Sequence, residues 1–397
     1  MSFSPVIKEV QKLLKEESLK GWLLYDFRGR NTLACKFLKI PKETHLTRRF
    51  CYWIPAEGEP LKIVHAVESF VLDYLPGKKE TYASWQSFQG LLSNLFKERD
   101  KIILEYSEMG SIPYVSTVDG GMIDFLKSLK LNLFSSGDIL QHFTATVNEE
   151  SAKSHLKAAS FLDKTALFAF KWVEEALKEN KTISEYDVQQ FIVEKFEDNG
   201  FITDSPPIVA VNKNSSNPHY APSINSTEII RRGDFILIDL WAKEKGEGSI
   251  YGDITRVGVA RKNTHEQEEK IFNIVREAQK KAFEFIKNRL AQGKSIQGFE
   301  VDDVSREVIE KAGYGPFFIH RTGHSIHEEG HGEGANIDNL ETHEERKLLN
   351  NTIFSIEPGI YLPDLFGVRL EHDVFINDKG EAILTGGVQD KIYTMNL

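Results

Sequence analysis

Two pairs of carboxylates constrain this 397-residue chain more than any other feature: Asp239 with Asp253, and Glu357 with Glu371, each pair 14 positions apart. Every one of these acids stands in or beside an apolar strand pattern. Asp239 follows FILI, Glu357 follows IFSI and Glu371 follows VRL. Asp239 reads as the end of one strand and Asp253 as the start of the next, with Gly246 and Gly248 in the loop between them. Glu357 and Glu371 repeat the arrangement, with Pro358, Gly359, Pro363 and Gly367 in the intervening loop. Two antiparallel hairpins of this kind would bring four acids to one concave face. Unpaired buried carboxylates are costly or become protonated, and four together repel one another. Two divalent cations would balance the four negative charges. A single Asp at a strand end is commonly a turn or cap residue, so spacing alone leaves the metal reading and the plainer one both open.

Histidines strengthen the metal reading. The segment 318–333, FIHRTGHSIHEEGHGE, holds His320, His324, His327 and His331, and His219 stands upstream in SSNPHYAP. Neutral imidazole is both a ligand and a proton carrier, while a solvated, glycine-punctuated loop is the plainer account of the same residues. His327 to His331 (HEEGH) also fits the HExxH pattern of helical zinc proteases, with Glu328 as base. That pattern needs a helix to put positions i and i+4 on one face. Gly323, Gly330, Gly332 and Gly334 argue against a helix here, and the pattern leaves the four acids unexplained.

The length predicts two domains, with the boundary placing 1–148 in the first and 149–397 in the second. In the first, GWLLY (21–25), FCYWIP (50–55), LKIVH (61–65) and KIILEY (101–106) read as strands, with helices around 88–96 and 122–129. This is a small α/β pattern. Val6, Ile7, Val10, Leu13 and Leu14 are expected to share one face of an amphipathic opening helix, and the stretch does not read as a signal peptide. The second domain opens on a long amphipathic helix over 150–178. Ser184 with Asp187, and Thr264 with Gln267, match capping boxes that open further helices. Another helix is expected over about 302–312, with Gly313 at its C-terminal cap. A net charge of −10 disfavours nucleic acid or an anionic membrane as partner. No apolar run approaches the ~18 residues of a membrane span. Cys35 and Cys51, the only cysteines, form neither a disulfide framework nor a zinc motif and fit a reducing cytoplasm.

The segments DLWAKEKGEGSIYGDITRVGV, HRTGHSIHEEGH, SIEPGIY and GVRLEHDV together resemble the metallopeptidases of the pita-bread fold. That group contains methionine aminopeptidase, Xaa-Pro aminopeptidase and Xaa-Pro dipeptidase (prolidase). The resemblance covers about residue 150 to the end. It implies an α+β chain: a C-terminal pita-bread (creatinase/aminopeptidase) catalytic domain preceded by a smaller α/β creatinase-like N-terminal domain. It further implies that Asp239 chelates one metal ion, that Asp253 and Glu371 bridge two, and that His324 and Glu357 complete the second site. Oxygen-rich ligation with one imidazole suits Mn²⁺, with Co²⁺ or Zn²⁺ as other occupants. A water between the ions, its pKa lowered to about 7, would attack the scissile carbonyl as hydroxide. Glu357 would move the proton towards the leaving amine. His219, His320 and His331 match substrate-binding and proton-relay histidines, and Arg369 matches an arginine that orients substrate. Thr255 would fix a carboxylate.

The chain departs from the family pattern in three places. Its two Asp are three positions further apart than is commonest, His327 stands where Gly is usual, and Gly332 stands where an acid is common. The last two bear on the substrate pocket rather than the metal site. An N-terminal domain points to the proline-specific members rather than to methionine aminopeptidases, and five intact ligands point away from creatinase-like enzymes. The expected activity is hydrolysis of the bond between an N-terminal residue and a following proline in short peptides. The enzyme is expected in the cytoplasm as a homodimer, with the N-terminal domain narrowing the site. A metal-dependent hydrolase or lyase of a small non-peptide metabolite is the second reading, and a non-catalytic binding module the third.

Overall fold

Short apolar runs separated by turn residues pair into one sheet in the first unit, which ends at Thr144; Ala145–Leu397 form the second unit. The computed structural model describes residues 3–397. The first unit runs α1 (Ser4–Glu16), β1 (Gly21–Phe27), α2 (Thr32–Phe37), β2 (Arg49–Pro55), β3 (Leu61–His65), β4 (Lys78–Tyr82), α3 (Trp85–Leu95), β5 (Lys101–Leu104), α4 (Gly120–Ser128), β6 (Asn132–Ser135) and α5 (Gly137–Thr144). Its mixed sheet has the order β4-β3-β2-β1-β5-β6. The two strands that the sequence patterns do not reveal, β4 and β6, are the two edges. KKETY buries only Tyr82, so no apolar run marks it, as is common for edge strands. Glu105, just past β5, is fully buried and accepts hydrogen bonds from Trp22 Nε1 (2.7 Å), Asn31 Nδ2 (2.7 Å) and Ser136 Oγ (3.0 Å).

The second unit runs α6 (Glu149–Lys178), α7 (Glu185–Asp198), β7 (Phe201–Ile202), β8 (Ile208–Val211), β9 (Phe235–Glu244), β10 (Gly252–Val259), α8 (Glu266–Ala291), α9 (Gly298–Lys311), β11 (Ser325–Ile326), β12 (Thr352–Ile356), β13 (Gly359–Leu362), β14 (Phe366–Arg369), β15 (His372–Ile376), β16 (Ala382–Thr385) and β17 (Tyr393–Thr394). Its organising element is the β9–β10 hairpin. Alternate residues face opposite sides. Ile236, Ile238, Leu240, Ala242 and Ile254 pack with Leu162, Ala166 and Phe170 of α6. Phe235, Leu237, Val257 and Val259 pack instead with Ile271, Phe272 and Val275 of α8. Asp239, Asp253 and Thr255 continue this second series, so strand alternation sends the acids away from α6. No described helix is long and apolar enough to cross a membrane.

Several boundaries differ from the sequence reading. Asp239 lies mid-strand, because buried Leu240 and Ala242 alternating with half-buried residues extend β9 to Glu244. The expected loop between Glu357 and Glu371 is itself a ladder, β13 with β14, and the two acids stand at the joint between it and the β12–β15 ladder. Pro358 has no N–H for a ladder, and the joint is closed by Leu370 N–H donating to Pro358 O at 3.4 Å. Helix α7 begins as expected, with Ser184 and Asp187 forming a capping box. Helix α8 is boxed by His265 and Glu268 instead, while the Thr264 hydroxyl bonds Glu269. Helix α9 starts at Gly298, earlier than expected, with Gln297 and Glu300 as its box.

Candidate active site

The β9–β10 register sets Thr255 opposite Asp239 and Trp241 opposite Asp253. The Thr255 hydroxyl lies 3.1 Å from Asp239 Oδ1 and 2.7 Å from Glu371 Oε2, linking the first hairpin to the joint of the second. Glu357 is held by its backbone N–H to Thr322 O (2.7 Å) and by Ser355 Oγ to its Oε1 (3.2 Å). Ser355 also organises the histidine: its Oγ accepts from His324 N at 3.0 Å, and its own N–H donates to His324 O at 2.9 Å. This approach requires glycine at 323, where a Cβ would stand 2.0 Å from Ser355 O.

Ligand atoms of Asp253, His324 and Glu371 lie within 4.8 Å of one another. His324 Nδ1 bonds Ser325 O at 3.1 Å, which assigns the proton to Nδ1 and leaves the Nε2 lone pair aimed inward. That nitrogen lies 3.7 Å from Asp253 Oδ2 and 3.4 Å from Glu357 Oε1. Burial, followed by the neighbouring His331, pushes His324 well below the usual imidazole range, so a charged imidazole does not resolve the encounter. Asp253 Oδ1 is buried without a hydrogen-bond partner among the described residues. Burial and then the Glu371 charge push Asp253 well up; burial and then Glu357 do the same to Glu371. Glu357 is pushed up to about 7, by burial against the opposing pull of Arg369. An orphaned carboxylate oxygen, inward lone pairs and mutually repelling acids are what a divalent cation satisfies. The residues present therefore fit a metal centre.

Arg369 is buried beside these acids. Its guanidinium donates to Asp239 Oδ2 (2.5 Å), Thr255 Oγ1 (3.1 Å) and Tyr361 OH (2.9 Å), with Glu357 Oε2 at 3.9 Å. Tyr361 OH in turn reaches His320 Nε2 at 2.7 Å, and His320 Nδ1 bonds Arg321 O at 2.6 Å. His320 is pushed down to about 3, by burial and then by Arg369, and is neutral. The ring of His331 packs on that of His324 with centroids 4.1 Å apart. His219 is exposed, on the loop after β8. Tyr361, Ser355 and Asp373 have no part in the sequence reading. Tyr361 stands in the SIEPGIY run, but an aromatic in an apolar strand reads as core. Asp373 is fully buried and accepts from Asp253 N at 2.9 Å.

The segment 327–331 is irregular, so HEEGH has no helix to place its histidines on one face. The two pocket departures meet in space. A Cβ at Gly332 would lie 2.8 Å from Ser325 Oγ and 3.1 Å from His327 Cβ, so a side chain at 327 and none at 332 accommodate one another. Gly332→Ala is expected to cost about 1–3 kcal/mol through overpacking. His327→Gly should recover part of that loss, measured as a double-mutant cycle by chemical denaturation. Additive effects would refute the coupling.

Hairpins that enclose buried acids and one imidazole define the class as a metal-dependent hydrolase. The chain belongs to metallopeptidase family M24, whose model matches residues 154–378. Xaa-Pro dipeptidase from Pyrococcus horikoshii is 31% identical over 73% of this chain and 77% of its own length. The crystal structure of recombinant prolidase from Thermococcus sibiricus matches with a TM-score of 0.62 and 26% identity, covering 100% of both chains. The N-terminal domain of the SPT16 subunit of the FACT complex from Cicer arietinum also matches, covering 98% of this chain and 97% of that one, with a TM-score of 0.63 but 12% identity. That likeness is one of fold alone, so function rests on the site. The peptidase relatives do not favour the small-metabolite reading.

Proposed function

We propose that this protein hydrolyses dipeptides with proline in second place, using two divalent ions held by Asp239, Asp253, His324, Glu357 and Glu371. The observation that carries the reading is the orphaned Asp253 Oδ1, clustered with the buried His324 imidazole, which is pushed well down, and with Glu371, which burial and neighbouring acids push well up as they do Asp253 itself. The names of the relatives, Xaa-Pro dipeptidase and prolidase, support the substrate class. Mostly carboxylate ligation with one imidazole favours Mn²⁺ over Co²⁺ or Zn²⁺.

When bound, the ions supply Lewis acidity to the scissile carbonyl and activate water for attack. The remaining work falls to the chain. Glu357, with a carboxyl pushed up to about 7, accepts the proton of the attacking water and returns it to the proline nitrogen as the C–N bond breaks. His320 stays neutral and, through Tyr361, holds Arg369 in place. Arg369 orients the substrate and donates to Asp239 Oδ2. His331 and His219 contact the peptide as hydrogen-bonding groups.

Two free thiols, Cys51 buried and Cys35 half-buried, fit a reducing cytoplasm. The first unit leaves Val67, Phe70 and Trp85 more than 60% exposed, which supports a homodimer assembled through that unit. Light scattering tests it.

The function is tested with chelator-stripped protein reconstituted with Mn²⁺ and offered Ala-Pro, Ala-Pro-Ala and Ala-Ala. Metal-dependent cleavage of Ala-Pro, with Ala-Pro-Ala slower and Ala-Ala slowest, is expected. Preferential cleavage of the tripeptide would make the protein an aminopeptidase. Failure on both proline peptides with metal bound would refute the reading.

A further inference from the structure

Glu185, the first residue of α7, is fully buried and has no place in the chemistry described above. Its carboxylate gathers four donors from one stretch of chain. Val211 N–H donates to Oε1 at 2.7 Å, and Asn214 Nδ2 reaches the two oxygens at 3.0 and 3.2 Å. Tyr220 OH donates to Oε2 at 2.5 Å, and Glu228 N–H to the same oxygen at 2.8 Å. The Glu185 N–H closes the pair by donating to Glu228 O at 3.0 Å. One carboxylate thus fastens the segment 211–228 at its start, in its turn, at Tyr220 and at its end. A helix N-terminus is a favourable seat for that charge, and a buried carboxylate so well satisfied holds its neighbours rigidly.

This segment carries His219 between two fastened points. Tyr220 follows it directly, and Pro218 before it offers its O to Arg369 NH1 at 3.5 Å. The turn is also tied to the metal-side hairpin, where Ser215 Oγ accepts from Gly367 N at 2.9 Å. The His219 backbone N–H bonds Asn217 Oδ1 within the same turn, at 3.1 Å. We infer that Glu185 is a positioning residue that sets where His219 stands relative to the substrate, acting through Tyr220. The inference rests on the reading of His219 as a peptide contact. It adds a residue outside the site that governs substrate engagement, and displacing a contacting group by about 1 Å can cost up to 10²-fold in rate.

Tyr220→Phe removes the fastening nearest His219 and leaves the other three. Three results are expected: amide exchange over 212–220 about tenfold faster, kcat/KM for Ala-Pro about tenfold lower mainly through KM, and a metal content equal to wild type. The double variant Tyr220→Phe/His219→Ala should be no slower than His219→Ala alone. Glu185→Gln should act in the same direction and more strongly, with Tyr220→Phe carrying the test if that variant does not fold. Unchanged exchange over 212–220, or a double variant that loses the product of both single effects, would overturn the inference. His219→Ala with wild-type kinetics would instead overturn the reading of His219.

Discussion

Glu371→Gln is expected to lower Ala-Pro hydrolysis by at least about a thousandfold, roughly 4 kcal/mol of barrier, while making the metal-free protein more stable. The two effects share one cause. Glu371 is buried against Glu357 and Asp239, and their repulsion follows burial in holding its carboxyl well above the usual range. An uncharged amide of the same shape relieves that repulsion but supplies a far poorer ligand. We expect a gain of about 1–2 kcal/mol in chelated protein, at roughly 2–4 °C per kcal/mol for a unit of this size. Scanning calorimetry with and without Mn²⁺ separates the effects: wild type should gain much from metal and the variant little. A variant within tenfold of wild-type activity, or one less stable when chelated, would sink this account of the site.

The second large effect is on pH. A carboxyl whose folded pKa is raised binds a proton in the fold that the unfolded chain has already lost, so stability falls as pH rises from the unfolded to the folded value. For Glu357 the window runs from 4.5 to about 7, a cost on the order of 3 kcal/mol once the group is ionised. Asp253 and Glu371 shift in the same direction and extend the loss. Buried His155, His320 and His372, pushed down from 6.5 to about 4, 3 and 3, shift stability the opposite way below pH 6.5. Metal-free protein should therefore melt at lower temperature at pH 8 than at pH 6.5, and Mn²⁺ should remove most of that difference while releasing protons. Denaturant titrations across that range, with calorimetric binding in buffers of different ionisation enthalpy, provide the check. Metal-free stability that is flat or rises with pH over that range would contradict the prediction.

These effects trace to residues that stand out in the sequence for a simple reason. Asp239, Asp253, Glu357 and Glu371 interrupt apolar strand patterns, and a charged group there demands an explanation that a surface acid does not. His324 is legible through its crowding with glycine, whereas Gly323, read in the sequence only as a helix breaker, owes its place to the close approach it permits to Ser355. Other parts are silent because their meaning lies in contacts. Tyr361 joins His320 to Arg369 across 41 and 8 positions, yet as a strand aromatic it looks like core. Asp373 sits beneath Asp253 from a different hairpin, 120 positions away. The pairing of His327 with Gly332 depends on a fold of the loop that neither residue announces. In the first unit the edge strand β4 escapes notice because its solvated side chains carry no apolar pattern. Helix starts fall short where a glycine or an unexpected cap, such as Gly298 or His265, opens the first turn.

The central claim is that four acids and His324 hold a pair of divalent ions. Anomalous diffraction from Mn²⁺-loaded crystals tests it most directly. Two peaks enclosed by Asp239, Asp253, His324, Glu357 and Glu371 are predicted. A single peak, or metal bound away from this cradle in fully active protein, would contradict it.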